Sequence, residues 1–518
     1  MISTVHSFGV HGISGYKTQV ETYVVRGIPE FDVIGLGDAS VKESKRRVIA
    51  ALKNQGYEIP SGRITVNLAP SNVKKEGTSF DLAIAVGLLC AAGVYRVQDT
   101  APYAFIGELS LDGSVRGVHG IMAMILEGRN HGFSNFIVSK ENSEEGALIR
   151  DVNVYGIENL RQIHNVLNEG VSPVKSSRLF PQAATTETDL CFSQVCGQSA
   201  VKRALEIAAI GGHHVLMLGM AGVGKTMLAR RFPTILPPLT EDEIYETAAI
   251  RSACGLKPSL ELLSGVRPFR EIRSDITKAG LLGGRIPIMP GELSLAHRGV
   301  LFWDEMAESD RMVLDALRIP LENGEVRLSR AGTAQIYPAR FQLIGATNPC
   351  RCGRHLEGNG ACKCTPGEIQ RYFSKISRPL LERMDIQIPV RSISGEGIQG
   401  FSDIHVETSE TIRTRVIALR DLQKERYQQE NITLNREITR NMIEKYCPIL
   451  PAAKHLLMQS IGDLGLSMRS YEKILQIARS VADLNQHSVL TEEDIAEAVS
   501  YRRSDRIYSV HGEMEACI

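Results

Sequence analysis

The chain has 518 residues, room for roughly three domains, and its 43% apolar and 23% charged content is that of an ordinary folded protein. Lys+Arg and Asp+Glu balance at 59 each, so the chain is not a globally basic nucleic-acid binder, and any such contact needs a local basic surface. Met1 to Lys17 lacks the basic-then-apolar pattern of a secretory signal, and the apolar stretch Leu82–Tyr95 is too short and too rich in Gly and Ala for a bilayer span. The expectation is a cytoplasmic protein with no membrane segment, in a compartment where disulfides are disfavoured.

Residues 1–170 alternate strand-like and helical runs. Val33-Ile34 runs into Gly35, Ile64–Leu68 is strand-like, Leu82–Ala92 reads as a buried helix, and Tyr103–Ile106 and Asn135–Val138 are further strands. This block is mixed α/β. Residues 171–189 are polar, carry two prolines and a Thr-Thr-Glu-Thr run, and read as a linker. A second α/β block occupies 190–392. Over 393–518 strand signals stop and helical periods appear at Glu410–Gln429, Arg436–Tyr446, Ala452–Ile461, Ser470–Asn485 and Thr491–Tyr501. The last of these opens Thr491-Glu-Glu-Asp, with acids at the positive end of the helix dipole.

The second block carries the chemistry. The strand Val215–Leu218 leads into Gly219-Met-Ala-Gly-Val-Gly-Lys-Thr226 and then a helix from Met227, the strand–loop–helix setting that G-x-x-x-x-G-K-[ST] requires. Gly219, Met220, Ala221, Gly222, Val223 and Gly224 present backbone N–H groups to the phosphates of ATP. Lys225 reaches the β- and γ-phosphates, and Thr226 ligates Mg²⁺. Gly299–Trp303 is an apolar strand ending in Asp304-Glu305, where Asp304 suits the metal and Glu305 suits polarising the attacking water. A third strand, Phe341–Ile344, runs on to Asn348, an amide placed to align that water, although an Asn before Pro349 also suits a plain turn. Arg383 precedes the strand Ile386–Val390, and Arg469 opens a helix; each suits stabilising charge on a phosphoryl group, or a plain ion pair.

Cys350-Arg-Cys352 and Cys362-Lys-Cys364 flank a nine-residue, glycine-containing span. Four thiols so close can close on one tetrahedral Zn²⁺, the alternative being disulfides. The remaining cysteines, Cys90, Cys191, Cys196, Cys254, Cys447 and Cys517, are scattered and read as plain thiols.

The ordered set of P-loop, Asp304-Glu305, Asn348, Arg383 and Arg469 resembles the AAA+ ATPases. In the stretches Gly211–Gly219, Pro290–Phe302, Ser377–Asp385 and Leu466–Leu484 it is similar to their magnesium-chelatase-like branch, the YifB/ComM family. That resemblance implies a ring, expected to be a hexamer, in which Arg383 acts on the adjacent subunit's nucleotide and Arg469 is a sensor on a C-terminal helical lid. It also implies a motor on DNA, or else a chelatase-type remodeller of a partner protein. Two departures stand out: Arg270–Ile276 replaces the family's usual Ala-Pro-His-His-Thr run, and Gly-Met-Ala-Gly replaces Gly-Pro-Pro-Gly in the P-loop.

Residues 1–170 resemble a Lon-protease-like (S5-like) domain through Phe31–Ser44, Ile64–Pro70, Lys75–Leu82 and Phe105–Gly113. Ser79 falls where the peptidase serine stands, but the stretch that should hold its lysine base reads His119–Ile125, with Met122 and Met124. A thioether cannot take the serine proton, so no peptidase is expected. Lys45, Arg46, Arg47, Lys74 and Lys75 are candidate DNA contacts in this block, or equally a solvated charged face.

Between the acid pair and Asn348, the Asn323-Gly324 and Ala331-Gly332 dipeptides flank alternating residues, a β-hairpin signal. In AAA+ helicase-like rings such an insert points into the pore, which makes Arg327 and Arg330 candidates for tracking a phosphate backbone. Arg267, Arg270, Arg273, Lys278 and Arg285 form a second candidate set, with surface charge as the alternative.

Overall fold

The structure is a computed structural model and describes residues 2–175, 190–284, 288–330, 333–355, 361–392, 407–464 and 467–502. The expected linker largely, the start of the C-terminal block and Cys517 lie outside these residues.

The N-terminal unit is a seven-stranded mixed sheet. Its strands are β1 (Ile2–His11), β2 (Ser14–Val25), β3 (Glu30–Ile34), β4 (Arg63–Ala69), β5 (Tyr103–Ile106), β6 (Asn135–Ser139) and β7 (Asn153–Ile157), in the order β3-β4-β2-β1-β5-β6-β7. Helices α1 (Ala39–Asn54), α2 (Asp81–Ala91) and α3 (Ile121–Asn130) cover it. α2 is buried along its whole length, as its unbroken apolar run requires.

β1 and β2, a long antiparallel hairpin in register from Ile2↔Tyr23 to His11↔Ser14, give little apolar alternation. Their inward positions include Ser3, Ser7, Thr18 and Thr22. The Ser3 and Ser7 hydroxyls donate to the carbonyls of Gly87 and Phe105, at 2.7 and 2.8 Å, so hydrogen bonds replace apolar contact on that face.

The second unit is built on a five-stranded, wholly parallel sheet. Its strands are β8 (Val215–Leu218), β9 (Phe269–Ile272), β10 (Val300–Trp303), β13 (Gln342–Thr347) and β14 (Ile386–Pro389), in the order β9-β10-β13-β8-β14. Helices α4 (Ser199–Gly211), α5 (Lys225–Arg231) and α6 (Glu241–Ala253) belong to the same unit. Every residue of β8 and β10 is buried, which is why these strands read as continuous apolar runs. Between β10 and β13, helix α7 (Arg318–Asn323) leads into an antiparallel hairpin, β11 (Glu325–Arg330) with β12 (Thr333–Pro338). The Asn323-Gly324 pair, expected as a hairpin turn, instead ends α7, with Gly324 at φ 68° as its C-cap.

Among the described residues five α-helices follow: α8 (Ser409–Arg426), α9 (Arg440–Tyr446), α10 (Pro451–Leu464), α11 (Met468–Leu484) and α12 (Glu492–Ser500). Each overlaps a helical period read from the sequence. Val416, Ile474, Ile477 and Val481 of these helices share one apolar core with Ala204, Val215 and Phe302 of the parallel sheet and its cover. The N-terminal unit docks through α6, whose Ile244, Tyr245 and Ala248 join Phe8, Ile121 and Ile125 in another core. Gly120 N–H donates to the Ser252 carbonyl (3.0 Å) and Arg150 N–H to the Tyr245 hydroxyl (3.0 Å) across that seam. The β1–β2 turn also reaches the hairpin: His11 Nε2 lies 3.1 Å from the Ala334 carbonyl.

Candidate functional site

In a parallel sheet, ligands gather where the strands end. β8 ends in the P-loop, β10 in Asp304-Glu305 and β13 at Asn348, so three neighbouring strands deliver the expected groups to one edge. Glycine is required at Gly219, where a Cβ would sit 2.4 Å from the Val390 carbonyl, and at Gly224, which turns the loop into α5 at φ 95°.

Lys225 is buried, and its Nζ donates to the carbonyls of Gly219 (2.6 Å) and Met220 (2.7 Å), with Asn348 Oδ1 at 3.4 Å. The lysine thus already lies across the loop towards Asn348. Burial lowers its pKa, while the charges of Asp304 and Glu305 pull it back up. Thr226 Oγ1 donates to Asp304 Oδ2 at 3.0 Å, which puts two oxygen donors side by side, the hard set that Mg²⁺ prefers. Glu305 is held at φ 48°, a costly conformation for a residue with a Cβ, and its N–H donates to Asp304 Oδ1 at 2.9 Å. That turn leaves the Glu305 side chain exposed beside the loop. Met220 and Val223 are half-buried, and Ala221, Gly222 and Met227 are exposed.

The two arginines are elsewhere. Arg383 precedes β14, which runs parallel to β8 in the register Val215↔Ile386 to Leu218↔Pro389. It therefore sits at the opposite end of the sheet from the P-loop, about one four-residue strand length (~13 Å) away. Arg383 Nη2 contacts Glu322 Oε1 at 2.7 Å, and Arg469 bonds the same oxygen. Arg469 thus stands with Arg383 and apart from Asp304, Glu305 and Asn348. Glu322 gathers both, and in the sequence its only signal is a carboxylate at the start of the Glu322-Asn-Gly324 turn before the hairpin.

Below them lies a buried charged knot. Asp385 Oδ1 pairs with Lys473 Nζ at 2.8 Å and Asp385 Oδ2 accepts the His214 N–H at 2.8 Å. His214 Nδ1 accepts from Leu343 N–H at 3.0 Å, its Nε2 meets Arg436, and His213 Nε2 lies 2.8 Å from Ser480 Oγ. Burial lowers both histidines' pKa, that of His213 to about 3. The Asp385 carboxyl is held below its usual range: burial works against this, and the charges of Lys473 and the neighbouring cations outweigh it. One turn of α11 separates Arg469 from Lys473, so this knot fixes the arginine-bearing helix to the sheet.

The four cysteines converge. Cys350 Sγ is 3.3 Å from Cys352 and 3.7 Å from Cys362, Cys352 is 3.6 Å from Cys362, and all four sulfurs including Cys364 lie within 4.8 Å of one another. Sulfurs about 2.3 Å from one tetrahedral Zn²⁺ stand about 3.8 Å apart, so the donor set and its spacing suit that ion. The cluster starts two residues after Asn348, and a Cβ on Gly353 would lie 3.8 Å from Met220 of the P-loop.

Several basic candidates are structural. Arg267 donates to the carbonyls of Pro237 and Arg298 (both 2.6 Å), and Arg270 grips Glu292 at 2.6 and 2.7 Å. Arg47 is bound to Asp81 at 2.7 Å and Lys75 is buried with its Nζ on the Pro70 carbonyl, so neither offers a free surface charge. Lys45, Arg46, Arg273 and Lys278 are exposed, Lys74 pairs with Glu76, and Arg285 lies outside the described residues. Arg327 is exposed on β11 beside Glu325, and Arg330 ends that strand. Ser79 is buried without a hydrogen-bond partner for its hydroxyl among the described residues, and Met122 and Met124 are core residues of α3.

A P-loop, an acid pair and a polar amide on adjacent ends of a parallel sheet define an AAA+-type nucleotide-binding core. Residues 191–398 match the family described as magnesium chelatase, subunit ChlI; residues 20–142 match subunit ChlI of Mg-chelatase, and 406–502 its C-terminal part. The chain is similar to YifB of Salmonella typhimurium (38% identity over 507 residues) and YifB of Escherichia coli (37% over 506). It is also similar to competence protein ComM of Haemophilus influenzae (36% over 509); in all three cases 98% of each chain is covered. The chain belongs to the magnesium-chelatase-like family that includes YifB and ComM. Among the described residues no helix is long and apolar enough to cross a membrane.

Proposed function

We propose that the protein is an ATP-hydrolysing ring motor, expected to be a hexamer, that acts on DNA in branch migration or unwinding. The observation that carries the reading is the split of the chemistry between opposite ends of one sheet. Lys225, Thr226, Asp304, Glu305 and Asn348 stand at one end, and Arg383 and Arg469 stand at the other. Such a subunit is complete only when a neighbour presents its arginine edge, which is how a head-to-tail ring shares sites.

Lys225 neutralises the β- and γ-phosphates, Thr226 and Asp304 hold Mg²⁺, Asn348 orients the water, and Glu305 takes its proton. The bound Mg²⁺ supplies charge neutralisation on the phosphates. The hairpin β11–β12, with Arg327 exposed, is the part offered to a phosphate backbone, and the similarity to a competence protein favours DNA. The N-terminal unit, taken as Lon-protease-like but not proteolytic, braces that hairpin through His11. The C-terminal helices act as the lid, and the cysteine quartet holds a structural Zn²⁺. A second reading, a chelatase-type remodeller of a partner protein, is favoured by the match of all three blocks to chelatase subunit ChlI and by the zero net charge.

The two part on one measurement: ATPase rate with and without forked DNA, repeated with Glu305→Gln. Stimulation by DNA that Glu305→Gln abolishes supports the motor. DNA that neither binds nor stimulates removes it and leaves the remodeller.

A further inference from the structure

Arg383 and Arg469 carry two permanent positive charges, and one carboxylate oxygen of Glu322 receives both. Charge is therefore unbalanced at that point by one unit. Hydrogen bonding is also incomplete: Arg383 is only 8% exposed, yet its Nε has no partner among the described residues. A buried guanidinium N–H left unpaired is costly unless a ligand completes it. Arg383, Arg469, Glu322 and Lys473 line one cavity of about 840 Å³. An anion of higher charge than a carboxylate is what this arrangement is short of, and the terminal phosphate of ATP is such an anion.

Glu322 occupies the last turn of α7, and after Asn323 and the C-cap Gly324 the chain enters β11 directly. The base of the hairpin closes on the same point, where Ala339 N–H donates to the Gly324 carbonyl at 2.8 Å. A movement of the Glu322 carboxylate is therefore a movement of the hairpin's root.

We propose that Glu322 is a positioning residue that gathers Arg383 and Arg469 in one subunit and yields them to the terminal phosphate of the neighbour's ATP, so that nucleotide state passes through α7 to the hairpin. This rests on the reading that the site is shared between subunits. With ATP next door the arginines leave Glu322 for the phosphate, and after hydrolysis and phosphate release they return to it. Glu322 competes with the nucleotide for the arginines, so it weakens ATP binding and in exchange ties each turnover to the hairpin.

The test is full-length Glu322→Gln, which keeps the shape and removes the charge. The expected result is a KM for ATP several-fold lower than wild type and stimulation by a forked oligonucleotide duplex reduced to near one-fold, at unchanged melting temperature and ring size. Glu322→Asp, which keeps the charge but draws it back by one methylene, should return KM part of the way to wild type. A purely structural role predicts the reverse, a raised KM with a lowered melting temperature, and would overturn the proposal. So would wild-type KM in Glu322→Gln while Arg383→Ala is inactive; that pair of results leaves the shared site standing. Arg383→Ala with wild-type kcat would instead overturn the shared site itself. Should Glu322→Gln fail to assemble, an Asp variant with wild-type KM overturns the proposal, and should DNA not stimulate the wild type, the KM comparison decides alone.

Discussion

Mixing two inactive variants tests the sharing of the site between subunits most directly. Lys225→Ala removes the phosphate-binding ammonium but leaves Arg383; Arg383→Ala leaves the P-loop intact but removes the arginine. Arg383 lies beyond the far end of β14 from its own P-loop, about 13 Å by strand length, so it cannot serve its own nucleotide. An arginine supplied to a transferring phosphoryl group is worth about 10³–10⁵ in kcat, or about 4–7 kcal/mol. Each variant alone should therefore be nearly inactive. In an equimolar mixture of head-to-tail rings, about one interface in four pairs an intact P-loop with an intact arginine, whatever the ring size. ATPase in the mixture should rise towards a quarter of the wild-type rate, measured by phosphate release after subunit exchange. A mixture no faster than its parents, in rings of wild-type size, would refute the reasoning, as would Arg383→Ala alone at wild-type rate.

Three further outcomes follow from the geometry. Asp385→Asn removes the buried partner of the half-buried Lys473 and should cost about 3 kcal/mol, seen as a lowered melting temperature; an unchanged melt would mean the knot does not hold α11. His213 and His214 have folded pKa values below the unfolded value of about 6.5, so their neutral burial is fully compatible with stability above that pH, and stability falls as pH drops through it, while the unfolded chain takes up protons. The loss should be about 1.4 kcal/mol per histidine between pH 7.5 and 5.5, and replacing His213 by Gln should flatten its share of the melting curve's pH dependence. Purified protein should carry one zinc per chain by elemental analysis; Cys352→Ser should lower that content, and metal-free protein with all four thiols titrating freely would count against the site.

The nucleotide-binding edge was legible residue by residue because its parts are local. A P-loop needs its glycines within one turn, and an acid pair or an amide needs only the strand just before it, so β8, β10 and β13 each announce their own ends. The C-terminal helices were legible for the same reason, through their apolar period and Thr491 cap. The β1–β2 hairpin was not, because its inward Ser3, Ser7, Thr18 and Thr22 are polar and erase the alternation that marks a strand. Nor could spacing along the chain separate Arg267 or Arg47, spent on internal partners, from an exposed cation such as Arg46.

By itself, then, the sequence determined which chemistry is present: the phosphate loop from Gly219 to Thr226, the acids Asp304 and Glu305, and four thiols close enough to converge. Tertiary structure decided where the arginines stand. Parallel pairing of β8 and β14 sends the P-loop and Arg383 to opposite ends of the sheet. Packing of α11 against that sheet then brings Arg469 to Glu322 instead of to the loop. The physical reason is that strand direction and helix docking are set by contacts between residues far apart in the chain, which no local pattern records.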